Sequence, residues 1–564
     1  MMELAVLISP NAHSVNTAKE LEIQIYADEF LEIRANVAPN DGSVFKDSTA
    51  VIVAVGNMDE YDTAISLARL REGDQRAAIA ALHGHFLIVS YQPKERRLSI
   101  FRDKAGFCHG YYWHTNNDFV FSSSLKHVLS ISSACQRGAH TIRKAGLAHY
   151  LCFQYLPTPH TMFDGVFQLS PGTVLQVGPD TIPSEKRYIA FPQLQDNRLH
   201  ESLEMASDRI QHLLHESIQR QLDVQKRTAA FLSGGMDTST NVAKLVNEFG
   251  VQPVLFTASF QEEQYDELAA ASVVAKHFGL VHETVLIDSS LLPRLSEIVG
   301  LYPSPLGDKS VFAEYFLGEA IREYGCSQLV TGEGGDEILG YPRSRDGKAS
   351  FESLPDEPKQ LAELYFQLTS VSPAHHREVM LSSLPFRPDC GEKYLMKIHK
   401  RFSQSEPFER LYWGQWQTWL IDNVYMKDRQ VSDHFGLNLV LPFMDTKLME
   451  YMASLSTAAK RRGLADKLFL KHAMAKSLPE QTLKKTKQKF WLPFCEWFRA
   501  EAESYDYLHE TLMQRSGFVG SQYGLGHIKA VIDEHRAGIA DNSRLLWALL
   551  FLEVWFDKFA KAWL

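Results

Sequence analysis

The 564-residue chain is poor in cysteine, has no long apolar run and carries no excess of positive charge. Its six cysteines are scattered and include no Cys-x-x-Cys pair, which argues against a structural zinc site and against a dense disulfide framework. The longest apolar stretch near the C-terminus, Leu545–Leu552, is far shorter than the roughly 20 residues that a membrane-spanning helix needs. These absences predict a soluble chain with reduced thiols.

Charge excludes further classes of protein. There are 58 Lys and Arg residues against 68 Asp and Glu, which argues against a dedicated nucleic-acid or anionic-membrane binder. The first residues, Met1–Ile8, have no basic segment before their short apolar run and predict a strand rather than a signal peptide. We therefore expect a cytoplasmic protein without nucleic-acid or membrane partners.

The chain is long enough for roughly two to four domains, and its pattern changes once. The first part has short apolar runs separated by turns and reads as β-rich, with helical stretches at Tyr61–Arg71 and Arg143–Phe153. The polar segment Phe191–Arg198 is the best linker candidate. We predict one domain over residues 1–192 and a second over residues 197–564.

Strands and helices alternate beyond the linker. The predicted elements are, in order, an amphipathic helix at Asn197–Leu222, a strand at Thr228–Leu232, a helix from Thr238, a strand at Val254–Phe260, a helix from Asp266, a strand at Val281–Ile287, a helix at Phe312–Glu323 and a strand at Gln328–Val330. This alternation predicts a parallel sheet with helices on both faces, followed by a mostly helical remainder.

The segment Phe231–Ser239 is glycine-rich and stands between a predicted strand and a predicted helix. Backbone N–H groups of such a turn converge on an anion, and the hydroxyls of Ser233 and Ser239 can donate to the same anion. Asp237 would repel a bare phosphate, so its presence suggests a bridging Mg²⁺. The alternative is a tight turn whose Asp and Ser cap the helix.

A second glycine-rich segment, Thr331–Glu337, directly follows the predicted strand Gln328–Val330. Turns after adjacent parallel strands open at the same carboxyl edge of a sheet, where ligands bind. Asp336 can therefore join Asp237 around one metal ion.

Together these segments resemble the synthetase domain of the asparagine synthetase B family. Further matches are Tyr265–Glu267, Leu441–Asp445 and Lys485–Phe490, and in the first part of the chain His83–Phe86, Phe101–Gly106 and Ser170–Gly172. The resemblance covers nearly the whole chain. It implies an α/β protein with an N-terminal αββα sandwich of the Ntn-hydrolase type, here an inactive glutaminase, and a C-terminal PP-loop parallel-sheet synthetase domain with a helical C-terminal part.

In that family, ATP adenylates a substrate carboxylate and releases pyrophosphate, and an amine then displaces AMP from the acyl-adenylate. The resemblance therefore implies ATP and Mg²⁺ as cofactors. It assigns Ser233, Gly234, Gly235, Asp237 and Ser239 to the pyrophosphate loop, Asp237 and Asp336 to Mg²⁺, and Ser259, Thr331 and Gly332 to the nucleotide pocket.

Two candidate catalytic residues follow from the resemblance. Lys487 aligns with the family's catalytic lysine, which stabilises charge on the tetrahedral intermediate; without the resemblance it reads as a surface lysine in a basic run. Glu333 aligns with a glutamate that faces the attacking nitrogen and can accept its proton, with a helix-capping carboxylate as the alternative. Lys467 is a weaker phosphate-contact candidate, because an exposed helix lysine is the simpler interpretation.

The chain departs from the family at its nitrogen supply. Glutamine-dependent members begin Met-Cys-Gly, with the cysteine as amidase nucleophile, whereas this chain begins Met1-Met2-Glu3 and its first cysteine is Cys108. Val55–Met58 occupies the region of the family's glutamine-binding Asn-Gly-Glu segment, and Asn438–Val440 replaces the Glu-Ala-Arg of asparagine synthetases. We expect no glutaminase activity and a weaker case for free aspartate as substrate.

The resemblance thus predicts an ATP- and Mg²⁺-dependent amide ligase that takes its nitrogen from elsewhere. Members without the cysteine include β-lactam synthetases, which tend to carry a tyrosine in place of Glu333, and lasso peptide cyclases. A lasso-type macrolactam cyclase is the leading hypothesis, with a precursor peptide and its protease as partners. An ammonia-dependent asparagine synthetase, a β-lactam synthetase-like enzyme and a nucleotide-binding pseudoenzyme remain alternatives, and the oligomeric state stays open.

Overall fold

A computed structural model describes residues 4–8, 23–28, 31–35, 44–46, 50–58, 75–136, 138–179, 181–192, 199–342, 351, 353–370, 372–384, 390–486 and 492–564. The chain divides into two compact units, one of residues 1–146, 157–194 and 561–564, the other of residues 147–156 and 195–560. The predicted helix at Tyr61–Arg71 and the predicted catalytic Lys487 lie outside the described residues.

The first unit is built on two six-stranded sheets, in the orders β10-β8-β9-β1-β3-β2 and β12-β11-β7-β6-β5-β4. Its strands are β1 (Leu4–Ile8), β2 (Ile23–Ala27), β3 (Leu31–Ala35), β4 (Val44–Lys46), β5 (Val51–Met58), β6 (Gly84–Gln92), β7 (Arg97–Arg102), β8 (Tyr111–His114), β9 (Phe119–Ser122), β10 (Val166–Gln168), β11 (Thr173–Val177) and β12 (Ser184–Arg187). Its described helices are α1 (Gln75–Ala80), α2 (Leu125–Gln136) and the start of α3 (Lys144–Phe153).

Side chains alternate between the two faces of each strand, so that one face of each sheet packs against the other sheet. Val6 and Ile33 of one sheet share a fully buried core with Val53 and Val89 of the other, as expected when two sheets pack face to face. The opposite side of β5, with Ile52, packs in a second core together with α1, while α2 contacts β8 and β9. The order of layers is helix, sheet, sheet, helix.

The second unit contains a five-stranded sheet in the order β15-β14-β13-β16-β17, with every pair parallel. Its strands are β13 (Thr228–Phe231), β14 (Val254–Ser259), β15 (His282–Leu286), β16 (Gln328–Val330) and β17 (Asn438–Val440). Its helices up to the end of the sheet are α4 (Leu203–Gln221), α5 (Met236–Phe249), α6 (Leu268–Phe278), α7 (Leu295–Val299), α8 (Ser310–Glu323), α9 (Gly335–Leu339), α10 (Pro358–Thr369), α11 (Ala374–Ser382), α12 (Cys390–Arg401), α13 (Pro407–Trp416) and α14 (Met426–His434).

The chain after β17 is helical in its described part. The helices are α15 (Thr446–Ser454), α16 (Thr457–Leu464), α17 (Leu468–Ala473), α18 (Glu480–Lys484), α19 (Phe494–Ala500), α20 (Ala502–Leu512), α21 (Phe518–Tyr523), α22 (Leu525–Arg536) and α23 (Ser543–Lys558). Short 3₁₀ turns lie at Pro93–Glu95, Glu263–Tyr265, Ser289–Arg294, Ala465–Lys467 and Ala560–Trp563, and a π-helix at Leu420–Tyr425.

Apolar residues of α4, α5 and α6 cover one face of the parallel sheet, and α8 contacts β14 and β15. The sandwich and the parallel sheet confirm the predicted α/β fold class. Within the described ranges, none of the helices combines the length and the apolar composition that a bilayer crossing requires.

Several predicted element ends differ from the structure by one or two residues, and the largest difference is at the start of α4. Helix α4 begins at Leu203 rather than Asn197, because the Ser202 side chain accepts a hydrogen bond from the Met205 N–H and caps the helix there. Leu199 lies before the cap, where its backbone bonds to Ser454 and Ser456.

Candidate active site

Two glycine-rich loops lie side by side at the carboxyl edge of the parallel sheet. One joins β13 to α5, the other joins β16 to α9, and β13 and β16 are neighbours. A Cβ atom on Gly332 would lie 2.9 Å from Cγ2 of Thr238, and one on Gly335 would lie 2.5 Å from Cγ of Asp237. The two loops therefore approach so closely that a residue with a side chain would not fit at Gly332 or at Gly335.

The loop before α5 is shaped for an anion. The Ser233 hydroxyl accepts a hydrogen bond from the Gly235 N–H (3.3 Å) and contacts the Thr238 hydroxyl (3.2 Å). Gly234 has a φ of +66°, and a Cβ there would collide with the Ala270 backbone. Gly235 is the N-cap of α5 without a side-chain cap, so the helix presents first-turn N–H groups and the positive end of its dipole.

The two predicted metal ligands meet at one ammonium group. Lys467 forms ion pairs with Asp237 and with Asp336, the latter at 2.5 Å between Nζ and Oδ1. The other Asp237 oxygen, Oδ1, is buried and has no hydrogen-bond partner among the described residues. Because carboxylate oxygens are what Mg²⁺ prefers, this pair fits a magnesium ion, with the lysine now supplying the positive charge.

Lys467 itself is buried, with 9% of its side chain exposed. It is the last residue of the 3₁₀ turn Ala465–Lys467, and its backbone is left-handed, with a φ of +55°. The simpler prediction, an exposed helix lysine, is therefore wrong. Two further lysines extend this basic region: the Lys485 Nζ donates to the Ser233 carbonyl at 3.2 Å, and Lys471 pairs with Asp466 at 2.5 Å. We call Ser233, Gly235, Asp237, Asp336 and Lys467 the phosphate side.

The loops open into a cavity of about 860 Å³. Of the predicted site residues, the cavity is lined by Ser233, Gly235, Asp237, Thr331, Gly332, Glu333, Asp336 and Lys467. Gly234 shapes the turn behind it, and Ser239 is buried behind the loop, outside the lining formed by the described residues. Thr486, the last described residue before Lys487, also lines the cavity.

Ser259 does not reach the cavity as its assignment to the nucleotide pocket requires. Its hydroxyl donates to Asp266 (3.1 Å), whose other oxygen accepts the Leu268 N–H. The wall at the end of β14 consists instead of Phe256, Thr257 and Ala258.

A second lysine, Lys427, lies in the cavity among carboxylates. Its Nζ is 2.7 Å from Glu314 and 3.0 Å from Glu333, and it donates to the Ser310 hydroxyl at 3.0 Å. Asp428, the next residue, accepts a hydrogen bond from the Thr331 hydroxyl at 2.7 Å. We call Glu314, Glu333, Lys427 and Asp428 the acidic side.

Burial and charge crowding set the protonation of the acidic side. Burial, with repulsion from Glu333, raises the pKa of Asp428 to about 7, and burial holds the pKa of Glu314 well above its usual value. For Lys427, burial opposes the charged form, but Glu314 and Glu333 outweigh it and hold its pKa well above the usual value. The acidic side thus retains a charged lysine and can take up protons near neutral pH.

Sequence reasoning found Glu333 but missed its neighbours. Lys427 and Asp428 follow the π-helix Leu420–Tyr425, a rare geometry that often marks functional sites. The one signal in the sequence is an adjacent pair of opposite charges after the segment Trp416–Met426, in which seven of eleven residues are aromatic or apolar. Aromatic side chains, Tyr341, Phe351 and Trp419, also line the cavity.

Two positions that the family resemblance singles out stabilise the fold and do not line the cavity. Asp445 caps α15 by accepting the Lys447 and Leu448 N–H groups and pairs with Arg220. Asn438, at the position of the missing Glu-Ala-Arg, begins β17 and donates to the Gln328 side chain at 2.8 Å.

Comparison with known proteins matches both parts of the chain. Residues 209–557 match the asparagine synthase family and residues 59–189 match a glutamine amidotransferase domain. A Mycobacterium tuberculosis relative, named for asparagine synthetase with glutamine hydrolysis, is 25% identical over 552 residues, covering 89% of this chain and 82% of the relative. Asparagine synthetase (glutamine-hydrolyzing) 1 of Bacillus subtilis is 22% identical over 528 residues, covering 88% and 80% respectively. The amidase chry2 of Gibberella zeae is 24% identical over 340 residues, covering 54% and 49%.

Proposed function

Because the chain belongs to the asparagine synthase family and is an ATP-dependent carbon–nitrogen ligase, we propose that it forms an amide without hydrolysing glutamine. In this proposal a carboxylate is adenylated with release of pyrophosphate, and an amine of the same molecule closes a lactam ring. A lasso-type macrolactam fits this description, so the proposed partners are a precursor peptide and its processing protease.

The observation that carries the proposal is the division of the cavity into a phosphate side and an acidic side. The N–H groups at the start of α5, with Lys467 and Lys485, can offset the charge that builds on departing pyrophosphate. Asp237 and Asp336 would hold Mg²⁺, which supplies further positive charge to the phosphates.

The acidic side suits the second half-reaction. An attacking amine arrives as an ammonium group and must lose a proton, and the Glu333 carboxylate is placed beside Lys427 with about a third of its side chain exposed. Glu333 would accept that proton, with the Lys427 ammonium 3.0 Å from its carboxylate. Asp428 is the neighbouring group that can relay a proton.

One feature supports a nitrogen source other than glutamine. The segment that stands in for the glutamine-binding Asn-Gly-Glu is the end of β5, where Asn57 and Met58 pair with His85 and Gly84 of β6. The relatives' names include glutamine hydrolysis, whereas this chain has a different sequence at that segment.

Two further observations support a substrate larger than aspartate. Asn438 is engaged with Gln328 in the sheet, so the position that carries charge in asparagine synthetases offers no charged group here. Tyr341, Phe351 and Trp419 provide an aromatic wall suited to a peptide or other bulky acyl group.

An ammonia-dependent asparagine synthetase is the second candidate, because an acidic side with a proton acceptor would also attract free ammonium. A β-lactam synthetase-like reaction is disfavoured by the carboxylate at Glu333. A nucleotide-binding pseudoenzyme is disfavoured because Ser233, Asp237, Glu333, Asp336 and Lys467 are all present at the cavity.

Product analysis tests the proposal. The full chain is incubated with ATP and Mg²⁺ and one of three substrates: aspartate with ammonium, a small β-amino acid with an internal amine, or a linear peptide with a free N-terminal amine and a side-chain carboxylate. We expect AMP and pyrophosphate with the peptide, and a product lighter by one water.

Glutamine labelled with ¹⁵N in its amide is included, and no label should enter the product. Asp223→Asn, a surface substitution, is the matched control for Asp237→Asn, which should abolish pyrophosphate release. Asparagine formed from aspartate and ammonium, or ¹⁵N in the product, would overturn the cyclase.

A further inference from the structure

Three histidines and one glutamate converge in the second unit, away from the cavity lining. His375 and His376 begin α11, while His527 and Glu534 lie on α22. His376 is buried, with 2% of its side chain exposed, whereas His375 is 65% exposed. We call these four residues the imidazole cluster.

The cluster is held together by short contacts. Nε2 of His376 lies 2.9 Å from Oε2 of Glu534, and Nε2 of His375 lies 4.0 Å from the same oxygen. The rings of His375 and His376 are 3.9 Å apart between centroids, and those of His376 and His527 are 5.3 Å apart. Ligand atoms of His375, His376 and Glu534 all lie within 4.8 Å of one another.

Several polar atoms in or beside the cluster have no hydrogen-bond partner among the described residues. Nδ1 of His376, Nε2 of His527 and Oδ1 of the adjacent Asn542 are buried and have no hydrogen-bond partner among the described residues. An unmade hydrogen bond of this kind costs about 1–3 kcal/mol per group. Of the three, Nε2 of His527 is available to an ion beside Glu534, whereas Nδ1 of His376 lies on the opposite side of its ring from the Nε2 that contacts Glu534.

His527 adds a third imidazole to this group. Its ring lies 5.3 Å from that of His376 between centroids, and its Nε2 has no hydrogen-bond partner among the described residues.

We propose that the imidazole cluster binds one divalent transition-metal ion of the zinc type, through His375, His376, His527 and Glu534. Imidazole nitrogens select such ions over Mg²⁺ and Ca²⁺, which take oxygen ligands. Zinc ligands at about 2.0–2.2 Å stand roughly 3.4 Å apart in a tetrahedron. The His376–Glu534 pair needs to open slightly and the exposed His375 needs to move inward, which costs little for a surface side chain.

A second cluster that includes a histidine differs, because both ring nitrogens of that histidine already make hydrogen bonds. His535 lies near Cys495 and Asp541, but Nε2 contacts the Cys495 carbonyl at 3.2 Å and Nδ1 accepts the Asn542 N–H at 3.2 Å. Both ring nitrogens are therefore already used by the backbone, and this group carries no metal site. In the imidazole cluster, by contrast, Nε2 of His376 contacts only the side chains of Glu534 and Asn542, and Nε2 of His527 has no hydrogen-bond partner among the described residues.

The site would join three segments of the helical region. Asn542, which donates to Glu534 at 3.4 Å, directly precedes α23, and Arg544 in the first turn of that helix lines the cavity. Lys309 donates to Ser543 at 3.0 Å. A metal ion would thus fix α11, α22 and the start of α23, and raise the melting temperature of the protein.

Metal binding to the untagged full chain tests the inference. The protein is stripped with a chelator, supplied with excess Mg²⁺ to fill the carboxylate pair of the cavity, and titrated with Co²⁺ as a spectroscopic probe. We expect one equivalent with the intense visible bands of nitrogen-ligated, low-coordinate Co²⁺, displaced by one equivalent of Zn²⁺.

Variants locate the site. His376→Ala and His527→Ala should each weaken Co²⁺ binding at least about tenfold, as should the more exposed His375→Ala and Glu534→Gln, which leave the packing intact. His215→Ala, which removes a surface imidazole 2.6 Å from Glu248, should change nothing. Absence of stoichiometric Co²⁺ binding, or binding that survives both His375→Ala and Glu534→Gln, would overturn the inference.

Discussion

Two lysines of one cavity, each held by carboxylates, behave differently. Lys467 lies in a 3₁₀ turn with a left-handed backbone and pairs with two aspartates from two separate glycine-rich loops. Lys427 lies in a regular helix, is 5% exposed, and is fixed by Glu314, Glu333 and the Ser310 hydroxyl. The first is a cation that another cation can replace, and the second is a permanent counter-ion.

We propose that this difference separates the two half-reactions of the proposed ligase in space. A replaceable cation between carboxylates suits the side where nucleotide and Mg²⁺ enter and leave. A fixed ammonium beside three carboxyl groups suits the side where an amine loses its proton, because burial raises the pKa of Glu314 and of Asp428 while Lys427 stays charged. Substitutions on each side and the pH dependence of the two steps test this separation.

The largest effect is expected at the phosphate side. Asp237→Asn should lower pyrophosphate release by about 10³-fold, because loss of one preorganised charge at this kind of site costs about 10²–10³ and the metal ligand is lost too. The rate is measured with the substrate that the product screen identifies. Asp223→Asn is the control, and an unchanged rate in Asp237→Asn would show that the phosphates bind elsewhere.

Removing the permanent counter-ion should damage the fold as well as the reaction. Lys427→Met leaves Glu314 and Glu333 without their cation in a buried setting, which costs about 3 kcal/mol of unfolding free energy. Urea denaturation at pH 7 measures the loss. Lys226→Met, whose lysine pairs with Asp223 at the surface at 3.9 Å, should stay within about 0.5 kcal/mol of the parent. Equal stability of the two variants would contradict the assignment of Lys427.

The pH dependence of the two steps should differ. Burial, with repulsion from Glu333, raises the pKa of Asp428 to about 7, so lowering the pH below 7 protonates the acidic side. We expect amide formation to fall up to about tenfold per pH unit below pH 7, and pyrophosphate release to fall less. Single-turnover rates between pH 6 and pH 8 provide the comparison. In Glu333→Gln the repulsion is gone, and the pKa of Asp428 should move downward; parallel profiles for both steps would count against the separation.

The smallest effect is expected at the aromatic wall. The Trp419 Nε1–H donates to the Glu337 carboxylate at 3.0 Å. Trp419→Phe keeps an aromatic ring but loses this hydrogen bond, worth about 1 kcal/mol, so KM for the acyl substrate should rise about fivefold with kcat nearly unchanged. A loss confined to kcat would mean that Trp419 acts in the chemical step instead.

The elements that flank the phosphate side could be predicted closely from the sequence. The strand predicted at Gln328–Val330 has those bounds in the structure, and the one predicted at Thr228–Leu232 ends one residue earlier, at Phe231. Both are short buried runs that end at a glycine-rich turn, and parallel strands with such turns have a strong local pattern. The placement of Asp237 near Asp336 then follows from topology alone.

The acidic side could not be predicted in the same way. Lys427 and Asp428 reach the cavity because a π-helix precedes them, and Glu314 comes from α8, more than 100 residues earlier in the chain. No spacing rule links these positions. Lys467 was misplaced for a local reason: the pattern around it resembles an amphipathic helix, whereas its backbone is left-handed.

The most direct test of the central claim is a rapid-quench time course that follows pyrophosphate and amide product together in Glu333→Gln. The account predicts that pyrophosphate still forms at a rate near that of the parent, while amide formation falls about 10²-fold or more, since one proton acceptor typically contributes 10²–10⁴. Glu297→Gln, a surface substitution, should leave both rates unchanged. If pyrophosphate and amide fall in parallel in Glu333→Gln, the two sides of the cavity do not divide the reaction between them.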